Sequence, residues 1–322
     1  MTKKIRVGVL MGGPSAEHEV SLNSGAQVLK NLDRKKYWPI PVKISKAGKW
    51  FLDGQPAHYL DVLKKIDLAF LALHGEFGED GTLQGLMDFH KVRYTGSGMA
   101  ASALAMDKLK SRELFHLAGL VTPKSVLISP EGVHYDTIMY HSGLKFPVMI
   151  KPRSRGSSVG MMPAKNKKEL AVAIRLARKF DKDVLIEEYI RGTEVTCGVL
   201  EYFNGQKYFA LPLTEIIPVK QKFFDYKAKY TPGASQEITP ARISAKETKI
   251  VQEASIKAHR LLGCAGYSRA DFILQNGKAY LLEINTLPGM TSTSLLPQGA
   301  AAAGLTFSLL LDKIIDSSLR SN

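Results

Sequence analysis

The first hundred residues alternate strand-like and helix-like segments, and this alternation is the strongest constraint on the fold. An apolar run from Ile5 to Met11 predicts a strand, Gly12 to Ser15 breaks it, and Ser21 to Leu32 follows with helical spacing of its apolar positions. Further strands are predicted at Ile40 to Ile44 and at Leu68 to Leu73. The pattern indicates an open α/β sheet, in which ligands collect at the carboxyl ends of the strands.

Two changes of pattern divide the rest of the chain. The small-residue stretch Gly96 to Ala100 precedes a second unit of strands and helices, and beyond Arg191 the chain becomes rich in strands. A polar stretch from Val219 to Ile238 reads as a long loop, and a loop of that length usually acts as a lid or a binding loop. We therefore predict domains at 1–97, 98–186 and 187–322, the last with lid loop 219–238.

Cysteine content and hydropathy exclude several classes of protein. Cys197 and Cys264 are the only cysteines among 322 residues and have no CxxC spacing, so we expect reduced packing residues rather than disulfides or a zinc site. No stretch approaches the roughly 20 apolar residues of a membrane span. The opening apolar run also lacks a cleavage site. We expect a cytoplasmic protein without a membrane partner.

The net charge of +14 raises the alternative of a nucleic-acid-binding protein. The cations are scattered, however, in short pairs such as Lys35-Lys36 and one looser run from Lys165 to Lys168, without interleaved aromatic residues. We interpret them as solvated surface and expect no nucleic-acid partner. Excess cations also suit a polyphosphate ligand.

Four polar residues interrupt two apolar segments near the C-terminus. Arg269 and Asp271 lie two residues apart, as do Glu283 and Asn285, so each pair shares one face of its strand. Unpaired burial of these groups would cost several kcal/mol, on the order of 2–7 per group. Two carboxylates and an amide oxygen form a hard-oxygen site suited to Mg²⁺ held against phosphates.

The turn between these segments decides whether the two pairs meet. A two-residue turn at Asn276-Gly277 would pair Ala270 with Glu283 and separate the polar pairs. A three-residue loop from Gln275 to Gly277 would pair Arg269 with Glu283 and gather all four on one face. We predict the second arrangement.

Two further segments have the chemistry of a nucleotide site. Lys151 ends a predicted strand, and the Gly/Ser loop that follows it to Gly160 offers backbone N–H groups to phosphate oxygens, although it is not a Walker loop. Glu187 and Glu194 flank the end of another strand, where backbone groups can read an adenine edge and Glu194 can bind ribose hydroxyls. Each segment alone is an ordinary turn or solvated strand end. Beside a metal-binding face, they indicate bound nucleotide.

Several longer blocks carry a resemblance to a known family. They are AEHEVSLNSG (Ala16 to Gly25), HGEFGEDGTLQG (His74 to Gly85), FDYKAKY (Phe224 to Tyr230), SRADFIL (Ser268 to Leu274) and LLEINTLPGMTS (Leu281 to Ser292). In this order the chain resembles the D-alanine–D-alanine ligase family of the ATP-grasp superfamily over nearly its whole length. The resemblance implies a three-domain α/β ATP-grasp fold with a Rossmann-like N-terminal domain, and a homodimer.

The resemblance also implies an activity and its cofactors. Two D-alanine molecules would be joined through a D-alanyl phosphate, with release of ADP and phosphate, for peptidoglycan precursor synthesis. ATP is the implied co-substrate. Two Mg²⁺ ions, for which Mn²⁺ could substitute, would be held by Asp271, Glu283 and Asn285.

Site residues carried over from the family fall into two groups. Those implied to bind ATP are Lys108, Lys151, Glu187, Tyr189, Ile190, Glu194, Lys229 and Leu282. Those implied to act on D-alanine are Glu19 at the first ammonium, linked through Ser157 to Tyr230, Arg269 and the Gly289 backbone at the oxyanion, and Ser294 with Lys229 at the second carboxylate.

Departures from the family's commonest pattern occur at Arg155, Glu188 and Thr293, which affects details of nucleotide and second-substrate contact. His74 is left outside the catalytic set. A ligase that places D-lactate second is the nearest alternative, and Tyr230 argues against it. A binding protein with an inactive ATP-grasp site is the other alternative, and the complete polar set around Arg269 argues against that one.

Overall fold

The structure is a computed structural model that describes residues 3–129, 135–156, 159–218 and 235–320. Its N-terminal part contains β1 (Ile5–Gly12), α1 (His18–Asn31), β2 (Tyr37–Ile44), β3 (Trp50–Leu52), β4 (Gln55–Ala57), α2 (Tyr59–Leu63), β5 (Leu68–Leu71), α3 (Thr82–Phe89) and β6 (Arg93–Tyr94). The sheet order is β4-β3-β2-β1-β5-β6, and β1 pairs in parallel with β2 and β5. The central strands are apolar and buried, as expected of parallel strands. The predicted α/β pattern is confirmed.

A four-stranded sheet occupies the middle of the chain. Its elements and neighbours are α4 (Met99–Met106), α5 (Lys108–Leu117), β7 (Ser125–Ile128), α6 (Tyr135–Ser142), β8 (Val148–Pro152), β9 (Met162–Ala164), α7 (Lys167–Ala177) and β10 (Val184–Glu188). The order is β7-β10-β8-β9, with antiparallel neighbours. Asp107 caps α5 by accepting hydrogen bonds from the backbone N–H groups of Leu109 and Lys110.

The third sheet follows directly. Its elements and neighbours are β11 (Thr193–Phe203), β12 (Gln206–Ala210), β13 (Thr214–Pro218), β14 (Ser235–Ile238), α8 (Ala245–Leu261), β15 (Tyr267–Gln275), β16 (Lys278–Asn285), α9 (Leu295–Ala302) and α10 (Phe307–Arg320). The order is β14-β13-β11-β15-β16, and β12 pairs with β11. The predicted loop 219–238 is therefore wrong at its end, because its last four residues pair with β13. Residues 219–234 of that loop lie outside the described residues.

Three apolar clusters form the core. One joins the N-terminal sheet to α9 and α10, one joins the third sheet to α4, α5 and α8, and the last lies between the central sheet and α7. Helix α5 thus packs on the third sheet, although it falls within the predicted domain 98–186, and the domain limits stay a prediction. Burial raises the pKa of both thiols, Cys197 and Cys264, to about 12.

No single helix in the described ranges is long and apolar enough to cross a membrane; α9 and α10 meet that test only as a pair, across a bend of 102°.

The β15–β16 hairpin corrects the turn prediction. Asn276 and Gly277 form a two-residue turn, with φ of 49° and 71°, and Gln275 pairs with Lys278. A β-bulge then inserts Leu282 opposite the junction of Asp271 and Phe272, which moves the pairing by one residue.

The bulge restores the predicted grouping by a different register. Asp271 pairs with Glu283 and Arg269 with Asn285, so all four side chains share one face, whereas Arg269 was predicted opposite Glu283. The prediction of the face is confirmed, and the predicted turn and pairing are wrong. A bulge cannot be read from alternation alone, because it adds a residue without changing the composition of the strand.

We expect Gly192→Ala to destabilise the fold. A Cβ at Gly192 would lie 1.9 Å from the Leu274 carbonyl oxygen, so the β10–β11 turn or β15 must shift, at a cost of about 2 kcal/mol. Urea denaturation measures the loss. Gly98→Ala is the control, because its Cβ would meet only the Tyr94 hydroxyl at 3.5 Å. Equal stability of the two variants would contradict the packing argument.

Candidate active site

A cleft of about 460 Å³ lies between the central and third sheets. One wall comes from β8 and β10, and the other from β11, β13, β15 and β16. Eight residues predicted to bind nucleotide or metal line it, namely Lys151, Glu187, Tyr189, Ile190, Glu194, Asp271, Leu282 and Glu283. The structure thus brings residues separated by more than 130 positions to one cavity, and their individual contacts stay predictions.

A buried group of charges forms the base of the cleft. Glu187 on β10 has one carboxylate oxygen 2.8 Å from Lys151 Nζ and the other 2.6 Å from Arg112 Nη1. Burial alone would raise the pKa of Glu187, but the two cations hold it below its usual value. Burial lowers the pKa of Lys151, against the opposing attraction of Glu187.

Sequence reasoning missed Arg112. The spacing of Lys108 and Arg112 could have indicated it, since residues four apart on α5 lie on the same face of the helix. Both side chains are buried, and Lys108 Nζ lies 3.4 Å from Glu283 Oε2. Two buried cations on one helical face need anionic partners, which are Glu283 on β16 and Glu187 on β10.

The face predicted to bind metal is held in place from β11. Thr196 pairs with Asp271 across the strands, and its hydroxyl donates to Asp271 Oδ1 at 2.6 Å. Arg269 donates to both oxygens of Asp271, at 2.8 and 2.9 Å. Thr196 was also missed, because a threonine in a strand has no sequence signal beyond its β propensity.

This donor set fits a divalent cation shared with phosphate. The described residues contain no group of three His, Cys, Asp or Glu side chains that could hold an ion by themselves. Two facing carboxylates, Asp271 and Glu283, and the nearby Asn285 amide leave coordination positions for phosphate oxygens and water, which is how Mg²⁺ is usually bound.

A second group of predicted residues lies around the loop after β16. Ser294 occupies the N-cap position of α9, but its Oγ accepts a hydrogen bond from the Thr291 backbone N–H, at 2.9 Å, and none from the helix. Gly289 lies against it, since a Cβ there would be 2.7 Å from Ser294 Oγ. Glu19 is in the first turn of α1, with a largely exposed side chain. Ser157, Lys229 and Tyr230 lie outside the described residues.

His74 connects this loop to the N-terminal sheet. Its Nδ1 is 3.1 Å from the Leu287 carbonyl and its Nε2 is 2.8 Å from Ser24 Oγ, which also accepts from the Met290 backbone N–H. The side chain is buried. These contacts give His74 a structural task in fixing the loop that contains Gly289.

Comparison with known proteins gives a consistent picture. The family models described as D-ala D-ala ligase N-terminus and C-terminus match residues 6–62 with 53–97, and 114–316. A D-alanine–D-alanine ligase of Syntrophobacter fumaroxidans is 47% identical over 99% of each chain.

Solved structures agree over nearly the full length. The VanG D-Ala:D-Ser ligase of Enterococcus faecalis is similar with a TM-score of 0.86, 34% identity and coverage of 98% of this chain and 100% of that one. The Bacillus anthracis D-alanine–D-alanine ligase complexed with ATP is similar with a TM-score of 0.82, 36% identity and coverage of 99% and 98%.

The structure has three sheets, and a cleft between two of them has cations on one wall and carboxylates on the other. Together with the comparisons, this arrangement identifies the chain as an ADP-forming ligase of the ATP-grasp class. Within that class, the chain belongs to the D-alanine–D-alanine ligase family.

Gly289→Ala tests whether the loop after β16 works in the reaction. The new methyl group would displace the Ser294 hydroxyl, so we expect turnover to fall at least about tenfold with little change in melting temperature. Steady-state kinetics and thermal unfolding measure the two effects. Ser292→Ala, at an exposed neighbour, is the control. Unchanged kinetics in Gly289→Ala would place Ser294 outside the site.

Proposed function

We propose that this chain joins two D-alanine molecules into D-alanyl-D-alanine through a D-alanyl phosphate, releasing ADP and phosphate, for peptidoglycan precursor synthesis. The observation that carries the proposal is the cleft itself, which is lined by Lys151 on one wall and by the Asp271–Glu283 pair on the other, with Lys108 Nζ 3.4 Å from Glu283 Oε2. The family membership of the chain supports the choice of D-alanine. We further propose a cytoplasmic homodimer.

The chemistry requires this kind of cleft. A carboxylate is a poor electrophile until it has accepted a phosphoryl group, and phosphoryl transfer depends on positioning and on cations rather than on covalent protein chemistry. Lys108 and Lys151 supply fixed positive charge from two different elements, α5 and β8. Mg²⁺ held by Asp271, Glu283 and Asn285 would neutralise charge on the phosphate oxygens. Mn²⁺ suits the same oxygen donors.

On the nucleotide side, we assign Tyr189, Ile190 and Leu282 to the adenine and Glu194 to the ribose. These residues line the cleft beyond Lys151. Since both oxygens of Glu187 face cations, we propose that Glu187 contributes by holding Lys151 as well as by lying beside the adenine.

On the substrate side, we assign Arg269 and the Gly289 backbone to the oxyanion that forms when the second amine attacks the acyl phosphate. Asp271 accepts two hydrogen bonds from the Arg269 guanidinium, so this cation is oriented before substrate arrives. Glu19, with Ser157 and Tyr230, is assigned to the first ammonium, and Ser294 with Lys229 to the second carboxylate.

Phosphate release with ATP and Mg²⁺ tests the proposed function. D-alanine, L-alanine, D-alanine plus D-lactate and D-alanine plus D-serine are compared, with products identified by mass; D-serine is included because one similar structure is a D-Ala:D-Ser ligase. We expect release with D-alanine alone and the dipeptide as product. A mixed product formed in preference to the dipeptide would keep the reaction class and change the second substrate.

Arg269→Ala should reduce turnover at least about a hundredfold while ATP binding is largely retained, because one oxyanion donor supplies roughly 3 kcal/mol. Single-turnover kinetics and nucleotide titration measure the two separately. Arg6→Ala, which breaks a surface pair with Asp67, is the control. A mild effect on turnover would remove Arg269 from the oxyanion site.

A further inference from the structure

Arg112 is buried at the point where three parts of the nucleotide site meet. It lies on α5, four residues after Lys108, and only 4% of it is exposed. Its Nη1 is 2.6 Å from Glu187 Oε1, and its Nη2 donates to the Leu282 carbonyl at 3.3 Å. One guanidinium therefore contacts the central sheet through Glu187 and the bulge in β16 through Leu282.

The helix that carries Arg112 belongs to the far side of the cleft. Phe115 and Leu114 of α5 pack with the apolar cluster of the third sheet, whereas Glu187 belongs to the central sheet. The Arg112–Glu187 contact thus joins the two walls at the base of the cleft. Arg112 Nη1 and Glu187 Oε1 form an ion pair between two buried side chains, where charge acts strongly.

The distribution of charge explains why a second cation is needed. Arg112, Lys151 and Glu187 together carry a formal charge of +1 in a buried place. Without Arg112, Glu187 would neutralise Lys151 alone, and the base of the cleft would present no net charge to a phosphate. At short range in a weakly screened site, such a change alters anion affinity strongly.

We propose that Arg112 is a positioning residue for the nucleotide: it shares the charge of Glu187 so that Lys151 stays attractive to phosphate, and it fixes the Leu282 carbonyl beside Glu283. The proposal rests on the proposed ATP-dependent function. Arg112 does not line the cleft, so it acts through Glu187, Lys151 and the bulge rather than on the ligand.

Titration with Mg²⁺ and a non-hydrolysable ATP analogue, without any amino acid, tests the charge-sharing step. We expect Arg112→Met to weaken binding at least about tenfold. Arg112→Met/Glu187→Gln should bind several-fold more tightly than Arg112→Met, because Glu187 no longer offsets the charge of Lys151, and the bound phosphate takes the place of the carboxylate in keeping Lys151 protonated. Titrations are made well below each variant's melting temperature.

Arg112→Lys separates the two parts of the proposal. It keeps the charge, but its single nitrogen cannot occupy the positions of both Nη1, which contacts Glu187, and Nη2, which contacts the Leu282 carbonyl. We expect analogue affinity close to that of the wild type, with turnover reduced because the bulge is no longer fixed. Leu311→Ala, a core substitution in α10, controls for lost stability and should leave analogue affinity unchanged.

Two results would overturn the inference. One is wild-type affinity in Arg112→Met, and the other is a double variant that binds no better than Arg112→Met. Failure of the wild-type protein itself to bind the analogue would instead contradict the proposed ATP dependence, so the two failures are distinguishable.

Discussion

The register of β15 against its two neighbours is the constraint on which the site depends. Pairing with β11 places Thr196 beside Asp271, and pairing with β16 places Glu283 on the other side. Side chains directly opposite in antiparallel strands lie close enough to interact. A shift of one residue in either ladder would turn these groups to the opposite face. Backbone pairing across three strands therefore determines which oxygens meet.

Burying charge in such a site is costly unless each charge has a partner. Here the partners come from different elements: Lys108 and Arg112 from α5, Lys151 from β8, and Glu187 from β10. Cations and anions alternate around the base of the cleft, so no carboxylate is left with an uncompensated charge before ligand arrives. Excess positive charge remains, which suits a polyphosphate.

Much of this could be predicted from sequence, and the exceptions have physical causes. The strands predicted from Ile5 and from Leu68 begin at those residues in the structure, because unbroken apolar runs are typical of buried parallel strands. The face shared by Arg269, Asp271, Glu283 and Asn285 was predicted, but the bulge at Leu282 was not, since alternation does not reveal an inserted residue. Arg112 and Thr196 were missed because their roles depend on tertiary contacts.

The distribution of apolar clusters separates the substrate side of the site from the nucleotide side. Leu287 and Met290, which flank Gly289, belong to the cluster that joins the N-terminal sheet to α9 and α10. The central sheet has its own cluster with α7, which contains no residue of the other two sheets. Two ion pairs connect the central part of the chain to α5: Arg112 with Glu187 on β10, and Arg153, which directly follows β8, with Asp107 at the N-cap of α5.

A change in the width of the cleft would therefore disturb ion pairs and hydrogen bonds, and would leave each apolar core intact. Domain movements that preserve apolar burial cost far less than those that expose it, since burial contributes roughly 25 cal/mol per Å². The loop that carries Gly289 and Ser294 stays fixed to α1 by Ser24 and His74 during such a movement. The loop after β16, which we assign to the oxyanion and to the second carboxylate, is thus anchored independently of the central sheet, and opening of the nucleotide cleft would leave this loop in place.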